Sequence, residues 1–166
     1  MRRPLLINAS LLALALLLGT LAWLSREQPE EDKNIPLTSL SPDQINLIEL
    51  KNSNGPIIHI EHTAAGWEMT KPSKARVDST KIEYLLEITM AKSIRRFEAT
   101  QNLKEYGLNP PLAVLTLNQT RIEMGTLHPM NQRRYMRVGT TIHLINDRFP
   151  HLLQAPADYY ISTKKP

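Results

Sequence analysis

Histidines and methionines are the side chains of this sequence that could bind a metal ion. His59 and His62 are three residues apart in a segment that predicts a strand, where side chains alternate between faces, so one metal ion would not reach both. A softer set, whose thioethers and imidazole would suit Cu(I), consists of Met124, His128, Met130 and Met136. Because methionine more often fills gaps in a core, the sequence predicts neither a metal site nor a cofactor.

The serines and carboxylates do not form a catalytic pattern in the sequence. Acyl transfer needs a serine beside a general base and an oxyanion donor, but Ser41, Ser53 and Ser93 have no glycine elbow and no neighbouring histidine. Glycan hydrolysis needs two carboxylates facing one cleft, whereas the glutamates are isolated along the chain: Glu61, Glu68, Glu98, Glu105 and Glu123. The sequence therefore predicts a protein that is not an enzyme.

The chain begins with an apolar run, from Pro4 to Leu24, after Arg2 and Arg3. A run of about 20 apolar residues matches the hydrocarbon core of a bilayer, and the preceding arginines favour a cytoplasmic N-terminus. The alternative is a cleaved signal peptide with Thr20 and Ala22 before the cut. We prefer the anchor, because the run exceeds the apolar core of about 7 to 15 residues that a signal peptide needs. Residues 1–25 therefore predict a single transmembrane helix or uncleaved signal, and a periplasmic or extracellular domain on the inner membrane.

The composition of the remaining chain favours one domain without disulfides. Removing residues 1–25 leaves 141 residues, enough for one hydrophobic core. Cysteine is absent, so disulfides, thiolate metal sites and lipid attachment to cysteine are excluded. Arg2 and Arg3 are two of 20 basic residues, which leaves 18 against 16 acidic residues in the remainder. This balance does not indicate a nucleic-acid partner.

We divide the rest of the chain into a linker, a domain and a tail. Residues 26–42 are acidic and contain prolines, which is typical of a linker. Residues 43–160 form the predicted domain, and residues 161–166 form the tail. The linker would hold the domain away from the bilayer.

The first half of the domain predicts a strand meander followed by a helix. Two strand-like runs, 45–50 and 57–62, flank an Asn-Gly turn, and a third short strand carries Trp67 and Met69. After Pro72, apolar residues recur at helical spacing between residues 79 and 92. Either Asp78 or Thr80 would cap this helix at its N-terminus.

The second half repeats this order of elements. A strand is predicted at 94–98 and a helical turn at 103–106, ended by Gly107, and four further strands at 114–118, 121–124, 134–138 and 142–145. Asp147 would cap a short last helix that carries Phe149, Leu152 and Leu153 inward. The predicted fold class is α+β: an antiparallel meander with one main amphipathic helix and one short C-terminal helix, in addition to the transmembrane helix.

Three motifs of the sequence resemble the bacterial domain of unknown function 4340 family. The first runs from Gly66-Trp67 to Lys71-Pro72 before a helix, and the second is Tyr106-Gly107-Leu108 followed by Pro110 and Pro111. The third comprises Ile122, Met124, Gly125, Pro129, Tyr135, Arg137 and Val138. Together they cover about residues 40–155 and are scaffold motifs rather than chemical ones. Their structural residues are Trp67, Pro72, Tyr106, Gly107, Leu108, Pro111, Gly125 and Tyr135.

The resemblance implies an envelope protein without an established activity. Members are typically membrane-anchored, and some are linked to auxiliary components of gliding-type ABC transporters. From the residues themselves, Trp67 is expected to be a core anchor whose indole N–H meets a carbonyl oxygen, and Gly107 to provide a backbone conformation that other residues disfavour.

Two functions follow from these observations as expectations. The first is a non-enzymatic, singly anchored interaction or accessory subunit, attached to the inner membrane by residues 4–24, that docks on another envelope protein such as an ABC transporter component. The alternative is a periplasmic module that binds an anionic small molecule or glycan. Its contact residues would be His128, Arg133, Arg134 and Arg137.

Overall fold

The computed structural model describes residues 11–20, 35–99 and 102–163. The chain divides into two compact units, Met1–Glu30 and Glu31–Pro166, and each is described by itself. In the first unit, residues 11–20 form helix α1 with exposed leucine side chains. The described residues contain no helix with the length and apolarity needed to cross a membrane. The predicted span of residues 4–24 lies partly outside them, at 4–10 and 21–24.

In the second unit, the described residues form eleven strands and three short α-helices. The strands are β1 Ile35–Pro36, β2 Leu47–Asn52, β3 Ile58–Thr63, β4 Gly66–Lys71, β5 Ala75–Arg76, β6 Lys92–Ser93, β7 Arg95–Glu98, β8 Ala113–Leu117, β9 Thr120–Leu127, β10 Arg133–Val138 and β11 Thr141–Asn146. The helices are α2 Ser79–Leu86, α3 Pro150–Leu153 and α4 Ala157–Tyr160, with 3-10 turns at Pro42–Gln44 and Glu87–Met90. The α+β class and the antiparallel pairing predicted from the sequence are confirmed.

Nine of the strands form one antiparallel sheet. Their order is β5-β4-β3-β2-β8-β9-β10-β11-β7, and every neighbouring pair is antiparallel. The two meanders predicted from the sequence are joined where β2 pairs with β8, so Ile48 lies opposite Leu117 and Leu50 opposite Leu115. The two halves of the chain therefore share one continuous sheet.

The main hydrophobic core lies between one face of this sheet and the helices. Alternate strand residues such as Ile48, Ile60 and Ile122 belong to one buried cluster with Ile82 and Leu85 of α2. We call this side of the sheet the helix-side face and the opposite side the outer face. Because side chains alternate along a strand, the residues between these core positions point to the outer face.

The main helix is shorter than the sequence predicts. Asp78 is the N-cap, and its side chain accepts a hydrogen bond from Thr80 N at 3.0 Å. The α-helix ends at Leu86, and residues 87–90 continue as a 3-10 turn. The Thr89 hydroxyl donates to Leu86 O there, a local bond that competes with α-helical pairing.

Residues 35–42 pack on the domain, although the sequence placed them in the linker 26–42. β1 pairs with β6, and Leu37 N donates to Ala91 O at 2.8 Å. The Leu37 side chain is 2% exposed and belongs to the main core. The few apolar residues of this segment therefore pack against the domain. The rest of the predicted linker, residues 26–34, lies outside the described residues.

The C-terminal end contains a helix that was not predicted. The expected cap of the last helix was wrong, because Phe149 rather than Asp147 is the N-cap of α3 and no side chain caps it. After Pro156, α4 buries Tyr160, whose hydroxyl donates to Leu152 O at 2.7 Å. Beyond the predicted boundary at residue 160, Ile161 bridges to Val77 and Ser162 N donates to Arg76 O.

Candidate functional site

The outer face of the second half of the sheet carries an apolar cluster separate from the main core. Leu108, Val114, Ile142 and Leu144 are buried but do not belong to the helix-side cluster. Strand register places Val114, Glu123, Arg137, Ile142 and Phe97 in one row across this face. An apolar platform that contains a buried carboxylate therefore lies on the side of the sheet away from the helices.

The segment Tyr106-Gly107-Leu108 covers this platform. Thr126 N of β9 donates to Tyr106 O at 2.8 Å, and Leu108 is 2% exposed. A Cβ atom on Gly125 would overlap Tyr106 O and lie 3.1 Å from Leu108 Cγ. A Cβ on Gly107, which has φ +64°, would lie 2.9 Å from Thr126 N. The two glycines permit the backbone of the segment to lie directly on β9.

Four half-buried rings form what we call the aromatic row: Phe97, Tyr106, Tyr135 and His128. The distances between successive ring centroids are 5.5 Å, 4.8 Å and 5.6 Å. Burial and the neighbouring Tyr106 raise the pKa of Tyr135, while Arg95 acts in the opposite direction. The rings contact one another in tilted and edge-on geometries, so they fix one another's orientation while part of each stays accessible.

Glu123 is the buried charge of the outer face, with 3% of its surface exposed. One carboxylate oxygen accepts from Arg121 Nε at 2.8 Å, and the other accepts from Arg137 Nε at 2.5 Å. The Nη2 atoms of both arginines also contact the carboxylate. Because a buried charge is costly without partners, this paired arrangement holds Arg137 against the sheet.

A family model described as Domain of unknown function (DUF4340) matches residues 67–164, more than half of the 166 residues. The chain belongs to this family. Comparisons with curated proteins and with solved structures found no match. The matched region starts at Trp67, later than the resemblance at residue 40, so the β2–β3 hairpin lies outside it.

The outer face gathers most of the DUF4340 motif residues. Tyr106, Gly107, Leu108, Gly125 and Tyr135 lie together there, and Pro111 forms a bridge with Leu108 ahead of β8. Trp67 lies instead on β4 in the first half of the sheet, and Pro72 directly follows that strand. Tyr106 lies against β9 and Tyr135 belongs to the neighbouring strand β10. These two residues, about 30 apart in sequence, therefore meet.

Trp67 differs from its expected role in this DUF4340 domain. It packs against the main core only partly and contacts His62 in a tilted geometry, with ring centroids 4.8 Å apart. The structure shows no hydrogen bond from its indole N–H to a carbonyl oxygen of the described chain, contrary to the expectation. Its ring therefore remains partly accessible.

Two of the four expected contact residues are committed to internal ion pairs. Arg134 Nε donates to Asp147 at 2.5 Å and Arg134 Nη1 donates to Gly125 O at 2.8 Å, while Arg137 binds Glu123. His128 belongs to the aromatic row, and its Nδ1 accepts from Met130 N at 3.2 Å. In the part of the chain that the structure describes, Arg133 forms no ion pair.

The fold separates the methionines that were considered as Cu(I) ligands. Met124 and Met136 are buried in the main core, whereas Met130 is 87% exposed beside His128. Within the described ranges, no group of three or more histidine or carboxylate side chains could hold a metal ion. Met124 and Met136 therefore fill space in the core, which is the role that methionine most often has.

A serine–histidine contact was missed by the sequence reasoning. His143 Nδ1 lies 3.0 Å from Ser93 Oγ, although the two are 50 residues apart. Ser93 is 1% exposed and its hydroxyl also lies 3.1 Å from Arg95 O. The contact is thus closed to a substrate in this arrangement. Ser93 ends β6, directly before β7, and the pairing of β7 with β11 places it beside His143. The spacing of the two residues along the chain therefore carried no signal for this contact.

Proposed function

We propose that this DUF4340 protein is a non-enzymatic, singly membrane-anchored periplasmic subunit that docks on another envelope protein through the aromatic row. The family resemblance suggests an ABC transporter component as that partner. The observation that carries the proposal is the concentration of family-motif residues on one rigid, partly accessible face.

The contrast within the outer face supports this assignment. The first half of the sheet presents charged and polar side chains there, in cross-strand rows such as Glu49, His59 and Lys71. The second half presents the aromatic row above a buried apolar platform. Aromatic residues are enriched at the centres of protein interfaces, whereas charged residues are depleted there.

Rigidity of the aromatic row also favours docking. Tyr106 is fixed by its backbone bond to Thr126 and by the close approach of Gly125. Its ring lies between those of Phe97 and Tyr135. Binding through side chains that are already ordered loses less conformational entropy than binding through mobile ones.

The anion-binding alternative has less support. Arg134 and Arg137 are neutralised by Asp147 and Glu123. Clefts of about 490, 380 and 340 Å³ are lined by other parts of the described chain rather than by the 126–134 loop. An anion at Arg134 or Arg137 would have to displace a carboxylate from an existing ion pair, which leaves Arg133 as the unpaired arginine of the expected set in the described chain.

Site-specific photo-crosslinking in the native membrane tests the docking proposal. We would replace Tyr106 by a photoreactive phenylalanine analogue, with the analogue at Tyr84, an exposed residue of α2, as the matched control. We expect a discrete adduct with an envelope protein from position 106 and none of the same mass from position 84. The same adduct from both positions, or none from position 106, would contradict the proposal.

The proposed location of the domain outside the inner membrane requires a separate test. We expect a C-terminal alkaline phosphatase fusion to be active and a C-terminal green fluorescent protein fusion to be dark, because the domain would lie outside the inner membrane. The opposite pattern would place the domain in the cytoplasm and overturn the proposed location.

A further inference from the structure

We propose that the cleft beside Trp67 is a binding site for an organic cation, that is, a substituted ammonium or guanidinium group. This site lies between α2 and the first half of the sheet, and it goes beyond the docking function proposed above. Its volume is about 340 Å³, at the lower end of the range of small-molecule sites.

The cleft combines an aromatic ring with an apolar floor. Trp67 contributes part of the wall, and the ring of His62, which also lines the cleft, lies against it in a tilted geometry. Ile45 and Leu86, both largely buried, contribute apolar surface. The face of a tryptophan ring is the most favourable aromatic surface for a cation, because its quadrupole is negative there.

Two carboxylates from separate elements line the same cleft. Asp43 comes from the 3-10 turn Pro42–Gln44, and Glu83 comes from α2. In the described part of the chain neither carboxylate forms an ion pair, and no lysine or arginine lines the cleft. Other carboxylates, such as Glu87 and Glu123, are paired with arginines.

These features select the chemistry of the ligand. An anion would be repelled by both carboxylates, and a neutral ligand would leave them without a counter-charge. A substituted ammonium or guanidinium group can contact the indole face and the carboxylates together. The same cationic group could belong to a free amine or to a lysine or arginine side chain of a protein.

Nuclear magnetic resonance of the full chain in detergent micelles tests the site. The indole N–H signal of Trp67 would be followed during titration with choline, and with 3,3-dimethyl-1-butanol as its neutral isostere. Replacing Trp23 by phenylalanine separates the two indole signals. We expect saturable shifts with choline and none with the neutral isostere. Equal shifts with both compounds would overturn the proposal.

Variants distinguish a local site from a general charge effect. We expect Glu83→Gln to weaken choline binding about three- to tenfold, and Trp67→Leu, followed through backbone amide signals, to weaken it by a similar factor. Glu98→Gln removes an equal charge on β7, outside the cleft, and should leave binding unchanged. Trp67→Leu removes a ring that packs on the core and can impair folding, so the decisive variant is Glu83→Gln. Unchanged choline binding in Glu83→Gln would refute the site.

Blocked tripeptides distinguish the two sources of the cation. Tighter binding of Gly-Lys-Gly or Gly-Arg-Gly than of choline would assign the site to a basic side chain of a protein. Tighter binding of choline would assign it to a free substituted ammonium compound. Saturable binding of none of these probes would overturn the proposal.

Discussion

Glu123 brings a negative charge into a buried position on the outer face, where Arg121 and Arg137 neutralise it. Arg137 is thereby held beside Ile142, in the cross-strand row that also contains Phe97 of the aromatic row. Removing one member of a buried ion pair leaves the charge of its partners uncompensated. This carboxylate therefore organises the surface that we assign to docking.

We expect Glu123→Gln to lower the free energy of unfolding by about 2 to 4 kcal/mol, because two arginines lose their shared counter-charge. Urea denaturation followed by circular dichroism measures the change. Glu98→Gln, an exposed change of the same kind, should alter the free energy by less than about 0.5 kcal/mol. A Glu123→Gln variant as stable as the parent chain would show that the ion pairs are not needed for folding.

The sequence could place Glu123 on a strand but could not predict its partners. Arg121 lies two residues away on the same strand and face, whereas Arg137 meets it through the register of β9 with β10. The same limit explains why Arg134 and Arg137 were expected to be available for a ligand. Charge alone does not reveal which carboxylate a strand pairing will supply.

At the scale of elements, the segment Tyr106-Gly107-Leu108 is a surface turn that closes one side of the sheet. The sequence predicted a helical turn here, but residues 103–107 form hydrogen-bonded turns without a helix. The expected special conformation of Gly107 is present, with φ +64°. What sequence could not show is that this glycine is also needed because Thr126 lies directly against it.

Comparing Gly107→Ala with Gly139→Ala separates the cost of the left-handed backbone conformation from the cost of the overlap with Thr126. Both glycines have left-handed φ values, but no atom lies within 4 Å of a Cβ at Gly139. We expect Gly139→Ala to cost about 1 kcal/mol of stability from backbone strain alone. Gly107→Ala should cost about 1 to 3 kcal/mol more, because it also overlaps Thr126. Equal losses in urea denaturation would show that the segment can move away from β9 freely.

The positions of the main strands were the most predictable feature of the fold. Alternation of apolar residues correctly located β2, β3, β4 and the meander from β8 to β11, because one side of each strand faces a core. The short pieces were less predictable. β1 and α4 contain two and four residues, and their place depends on distant contacts rather than on local periodicity.

At the scale of the whole domain, the C-terminal helix α4 completes the helix-side layer. Tyr160 is fully buried, and its hydroxyl is bonded to Leu152 O. Burial is the main cause that raises the pKa of Tyr160, and the neighbouring Tyr159 adds to it. The stability of the domain should therefore depend on pH in the alkaline range.

We expect the free energy of unfolding to fall above pH about 10. Below that pH the phenol is protonated in both states; above it the unfolded chain loses the proton first, which favours unfolding. Tyr160 alone should account for a loss of about 1.4 kcal/mol between pH 9 and pH 11. Tyr160→Phe should remove this part of the loss in urea titrations, although it is less stable at neutral pH. An unchanged slope in Tyr160→Phe, or an equal flattening in Tyr84→Phe, would contradict this account.

The pairing of β1 with β6 has a mechanical consequence. Tension on the chain at residue 35 is carried first by this two-residue ladder and by the bond from Leu37 N to Ala91 O. The ladders of the nine-stranded sheet contain more paired residues in total than this one. We expect β1 to detach from β6 under tension before the sheet opens, which would release about 3.4 Å of chain length per residue. The β1–β6 ladder would therefore be the first part of the domain to open when the chain is pulled at residue 35.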